Sequence, residues 1–236
     1  MALRVKNIEF IPCSETVPLV VPSPIPAKKF IPEWYRSAPV FDPKKPDFAG
    51  PGKEVKNLGI KRCMPFLDAL TAGYIQTTWC DIYIESSNGA ITVRSASGPD
   101  IILARESSHV DMGTDFYNIE FTWKTPWLPK LESGYSVMLS HPVNRFDLPF
   151  ITLTGIIDSD VFYHTPSGNL PFYIRKGFSG LIPEGTPMYQ IIPIKRDSWK
   201  SSVVEYDNAI KKNFNESFKK FWGFYKNNFW NKKEYN

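Results

Sequence analysis

Residues 80–96 read CDIYIESSNGAITVRSA. Ile82 and Ile84 alternate with polar neighbours on one side of a Ser-Asn-Gly step, and Ile91 and Val93 alternate on the other. A period of two places one set of side chains on a single face of a pleated strand, and Asn-Gly supplies the positive φ that a tight turn needs, so the stretch predicts a β-hairpin. Working outward, RVKNIEFIP (4–12), FYNIEFTW (116–123), YSVMLSH (135–141), FITLTGII (150–157), LPFYIRK (170–176) and PMYQIIPI (187–194) are further strand-like runs, with Pro, Gly or Asn at nearly every junction. The centre of the chain is therefore expected to be an all-β sandwich or barrel.

At 236 residues the chain is long enough to bury a core without disulfides or metals. Its three cysteines, Cys13, Cys63 and Cys80, are odd in number and show no Cys-x-x-Cys spacing, which argues against a disulfide framework and a structural zinc site. The net charge of +4 is modest, and the lysines concentrate near the C-terminal end, so no sequence-specific nucleic-acid groove is expected. The first residues, MALRVKNIEFIPCSE, lack the apolar run of a secretory signal, and no stretch has the length of a membrane span. Neither export by a signal nor association with a membrane is expected.

Eight of the 21 prolines crowd into PLVVPSPIPAKKFIPEWYRSAPVFDPKKP (18–46). Proline removes a backbone donor and fixes φ, so this region is expected to form an extended arm over residues 1–60, with Trp34 and Tyr35 among its anchors on the chain's own body or on a neighbouring subunit. The β domain is assigned to residues 61–197. In residues 198–236, Phe214, Phe218, Phe221, Trp222, Tyr225 and Phe229 recur at steps of three and four with lysines between them, which predicts one amphipathic helix. Its aromatic face makes Phe218, Trp222 and Tyr225 candidate interface residues.

The motif GIIDSD at 155–160, followed by LIPEGTPMYQIIPI at 181–194, resembles the dUTPase and dCTP deaminase superfamily of trimeric β-clip nucleotide enzymes. Gly155, Ile157 and Asp158 match the family's strand-ending Gly-hydrophobic-Ile-Asp element, and Gly185 with Gln190 match its Gly-x-x-x-x-Gln element. ALTAGYIQTTWCDIYI (69–84) and LPKLESGYSVMLSHP (128–142) sit where the family has its early Ala-Gly-Tyr segment and a later strand. The resemblance implies a dUTPase-like β-clip body and a homotrimer. It marks Asp158 as the catalytic carboxylate if the chain is an enzyme, and Gln190 as a phosphate neighbour.

Several family features are missing. Val161 stands where the family's deoxyribose-packing aromatic is expected, and Tyr163 where a glycine lets the hairpin close. The Arg-Ser phosphate motif is absent from SHPVNRFDLPF (140–150), where Asn144 and Arg145 are partial substitutes for ligand binding. Asp158, Gly185 and Gln190 also have plain structural readings, as a turn carboxylate, a turn glycine and a buried amide. A separate pattern, His109-Val110-Asp111 with His164 and Arg175 downstream, has the outline of the facial triad of iron(II) 2-oxoglutarate oxygenases and is a weaker, metal-binding alternative.

FIPEWY and FLDALTAGYI also resemble segments of phage proteins of this general pattern. The expectation is a non-enzymatic viral structural or assembly protein on a trimeric dUTPase-like scaffold, gripping other virion proteins through its arm and helix and needing no cofactor. The alternative is a divergent deoxynucleotide triphosphate hydrolase or deaminase, a hydrolase of that class using magnesium.

Overall fold

The computed structural model describes residues 6–41, 48–50, 53–55, 59–87, 90–96, 101–105, 109–164, 168–208, 210 and 224–236. The chain divides into two compact units, one made of Met1–Phe30, Thr71–Arg196 and Tyr235–Asn236, the other of Ile31–Leu70 and Asp197–Glu234. This division cuts across the expected arm, β domain and helix.

The first unit is mainly β and its strands pair antiparallel. A five-stranded sheet runs in the order β13 (Gly155–Ile157), β11 (Tyr135–Ser140), β16 (Pro187–Lys195), β5 (Tyr74–Thr77), β2 (Ile25–Pro26). A four-stranded sheet runs β12 (Phe150–Thr152), β14 (Gly168–Ile174), β9 (Phe121–Thr125), β8 (Ile102–Ala104). The opening hairpin is β6 (Ile82–Ser87) against β7 (Ala90–Ser95), joined on its other edge by β15 (Gly180–Ile182).

Strand β16 explains its own sequence. Pro187 to Ile191 are all buried, so the run carries apolar side chains on both faces, with Gln190 the polar exception. Pro193 is tolerated because pairing with β5 has ended at Ile191, leaving a ladder only toward Val137 of β11. Gly73, at the start of β5, has φ +63, and a Cβ there would meet the Ile191 carbonyl oxygen at 2.0 Å, so only glycine fits the Ala-Gly-Tyr step.

Trp123 and Phe172 stack with centroids 3.7 Å apart, and Phe150 meets both edge-on. The Trp123 indole N–H donates to Thr152 Oγ1 (3.0 Å), and that hydroxyl donates to the Met188 carbonyl (2.9 Å). This relay satisfies the polar atoms of the aromatic cluster and ties the four-stranded sheet to β16.

The proline-rich beginning is not a separate arm. β1 (Ile8–Pro12) pairs along its length with β10 (Trp127–Leu131), Val17 and Val21 are buried, and Ile25–Pro26 pairs with Tyr74–Ile75. Two short helices also form there, α1 (Val17–Val20) and α2 (Glu33–Ser37). Pro18 lies in the first turn of one and Pro32 caps the other, positions where the missing N–H has no helical partner to lose.

The second unit holds α2, the short hairpin β3 (Phe48–Gly50) and β4 (Lys53–Val55), nearly all of α3 (Met64–Thr71), and α4 (Phe224–Asn228). Tyr35, expected at an interface, is buried and stacked on Phe66 at 5.9 Å, with Trp34 edge-on to the same ring. Asp68 accepts the Trp230 indole N–H on both oxygens and pairs with Lys233 Nζ at 2.6 Å.

Residues 196–207 lie in no helix or strand, and the chain leaves α4 before Trp230, so one helix does not run through 198–236. The Ser-Ser-Val-Val step at 201–204 has low helix propensity, which the aromatic periodicity downstream does not offset. Tyr225 is 45% exposed; Phe218 and Trp222 lie outside the described residues.

Candidate functional site

Asp158 closes β13, where its carbonyl accepts the N–H groups of Val161 and Phe162 and so forms a turn. Its side chain accepts from Ser136 Oγ at 2.7 Å and pairs with Arg196 Nη1 at 3.2 Å. Arg196 reaches this turn because β16 runs antiparallel to β11, with Lys195 opposite Tyr135 and the Arg196 N–H donating to the Gly134 carbonyl.

The stronger partner of Arg196 is Asp160. Nη1 donates to Oδ1 at 2.7 Å, Nη2 donates to Oδ2, and the Gly134 N–H adds a bond to Oδ2 at 2.8 Å. This two-pronged guanidinium pairing, helped by the Gly134 N–H, holds the Asp160 carboxyl down at about 2. A proton acceptor for chemistry near neutrality needs a value close to the working pH, so Asp160 is poorly suited to that role.

The same pairing predicts a pH dependence. Asp160 binds its proton more weakly in the folded chain, so its stabilisation is complete above the usual 3.8 and drains as pH falls toward 2. Arg196→Ala is expected to flatten the acid limb of stability between pH 4 and 2, measured by urea midpoints across that range.

Gln190 is buried within β16. Its Oε1 accepts the Val143 N–H at 2.7 Å and its Nε2 donates to the Ala72 carbonyl at 2.6 Å. Both ends of the amide bind main chain, which is the structural role for this residue type. Gly185, in the same motif, sits at φ +82 in the turn before β16.

The corner at 141–147 is also tied to its own chain. His141 accepts the Thr152 N–H on Nδ1 (3.3 Å) and donates from Nε2 to the Arg145 carbonyl (3.0 Å). Burial pushes the His141 imidazole down, which keeps it neutral in this bridge. Arg145 grips Asp147 through Nε (2.9 Å) and Nη2 (2.8 Å), and Asn144 occupies the left-handed region at φ 59. Asn144 and Arg145 therefore shape the corner, and the guanidinium face that would take a phosphate is held by Asp147.

The oxygenase pattern is not assembled. Among the described residues no group of three or more His, Cys, Asp or Glu side chains is placed to hold a metal ion. His109 instead faces Glu120, Asp111 accepts the Gly113 N–H at 2.9 Å, and the His164 ring lies edge-on to Tyr163.

Glu120, not singled out by the sequence, is a fully buried acid. It accepts from the His109 N–H (3.0 Å) and the Tyr173 hydroxyl (2.9 Å) and pairs with Arg105 (3.2 Å) and the His109 ring (3.0 Å). Burial alone would raise its carboxyl, but the hydrogen bonds from His109 and Tyr173 outweigh that and hold it below the ordinary range.

Beside the Asp158 turn lies a cavity of about 30 Å³ lined by Ile157, Ser159, Phe162 and Tyr189, the volume of one water molecule. A pyrimidine does not fit it. A larger open groove of about 540 Å³ lies elsewhere, beside β15, and neither Asp158 nor Gln190 lines it.

No protein-family model matches the chain, and no curated protein shows significant similarity to it.

Proposed function

We propose that this chain is a non-enzymatic viral structural or assembly protein, built on a dUTPase-like β-clip body and working as a homotrimer with other virion proteins. One observation supports the reading above the others: the residues the resemblance marks for nucleotide chemistry are committed to bonds within the chain. Gln190 holds two main-chain groups, Arg145 holds Asp147, and Arg196 neutralises both Asp158 and Asp160. A guanidinium stands where a magnesium triphosphate would need its cation beside the carboxylates, so these residues do not fit that group.

A divergent nucleotide hydrolase or deaminase is the second reading, because the Asp158 side chain is 57% exposed at the end of its strand. Incubation with magnesium and a panel of deoxynucleoside triphosphates separates the two. The expected result is no pyrophosphate release, no deamination and no ligand-induced rise in melting temperature, together with a trimer by light scattering. Turnover abolished by Asp158→Asn would overturn the assembly reading.

A further inference from the structure

The stretch 199–206, WKSSVVEY, is apolar and uncovered: Trp199, Val203, Val204 and Tyr206 are 90%, 102%, 81% and 69% exposed. Single exposed apolar residues are ordinary, but four within eight residues form a surface that calls for a partner. The β-branched and aromatic side chains suit an added strand.

The groove beside β15 has matching chemistry. Among the described residues β15 is an edge strand, paired with β6 alone, and it presents Leu181 at 44% exposure. Phe146, 72% exposed, forms part of the lining with Leu148 and Phe178, and Arg175 and Lys176 supply positive charge. Glu205 sits between Val204 and Tyr206 in the exposed stretch, so its carboxylate is placed to meet a cation when the flanking apolar groups enter an apolar groove.

We propose that residues 199–206 of one copy dock in the β15 groove of a second copy, adding along the β15 edge with Val204 and Tyr206 on one face against Phe146 and Leu181, and Glu205 on the other face against Lys176. This rests on the assembly reading and names the surfaces that carry it. The contact is heterologous, tail into groove, so repetition closes a ring when the rotation permits and propagates otherwise.

Light scattering and sedimentation of the full chain test it, with Lys176→Glu, Glu205→Lys and the two combined. Each single reversal is expected to weaken association at least tenfold and the combined variant to restore it, a rescue that mere loss of folding would not give. In a Cys63→Ser background, chains carrying Leu181→Cys and chains carrying Val204→Cys should form a disulfide between copies when mixed. An oligomer indifferent to both reversals overturns the docking and leaves the assembly reading standing. A chain that is monomeric at all concentrations overturns both.

Discussion

Glu120→Ala should lower the unfolding free energy by about 2–3 kcal/mol, the range for breaking a buried ion pair moderated by partners that keep some contact with water. Arg105 and His109 are respectively 33% and 61% exposed at their side chains, so solvent recovers part of their loss, whereas the hydrogen bond that the Tyr173 hydroxyl donates to Glu120 is lost in the interior. Glu120→Gln separates charge from shape, since the amide keeps the volume but cannot balance Arg105. Because the folded chain holds this carboxyl below its ordinary value near 4.5, the unfolded chain takes up the proton first on acidification. The stabilisation is thus complete above pH 4.5 and is lost below it, and the glutamine variant should show a shallower fall in urea midpoint over that interval.

Gln190→Leu is expected to cost about 1–3 kcal/mol, because it keeps the bulk of the side chain while removing the partner of two part-buried main-chain groups, the Val143 N–H and the Ala72 carbonyl. Gln190→Glu should be as damaging, since a carboxylate can accept from Val143 but offers Ala72 no donor and brings a charge into the core. Denaturant unfolding with an unchanged m-value is the signature of a loss confined to these bonds. Were Gln190 a phosphate ligand with its amide free, both variants would fold almost normally and the effect would fall on nucleotide binding.

Where sequence and fold agree, the local signal and the tertiary demand coincide. The hairpin Ile82–Ser95 follows from alternation around Asn-Gly, and PMYQIIPI lacks polar alternation, Gln190 apart, because Pro187–Ile191 of β16 are buried on both faces. Ile8–Pro12 was legible as a strand but its partner was not, because β10 lies some 115 residues later and neither run carries a local mark of the other. Glu120 was invisible for a similar reason: in NIEFTW it occupies the polar phase of an alternating strand, and only folding brings Arg105, His109 and Tyr173 around it. The Arg196–Asp160 pair joins residues 36 positions apart and leaves no local mark, although a basic residue one step past the last strand, opposite the acid-rich turn across Gly134, is the sequence feature that foreshadows it.

The division of the chain into units sets an order of birth. Everything in the β unit except Tyr235 and Asn236 has been made once Arg196 is added, whereas the other unit draws its two halves from Ile31–Leu70 and Asp197–Glu234. Asp68 emerges 162 residues ahead of the indole it will hold. At ribosomal speeds that is a wait on the order of ten to thirty seconds, during which the first half must stand without its second. The smaller unit therefore forms late, only after Trp230 and its neighbours have left the exit tunnel.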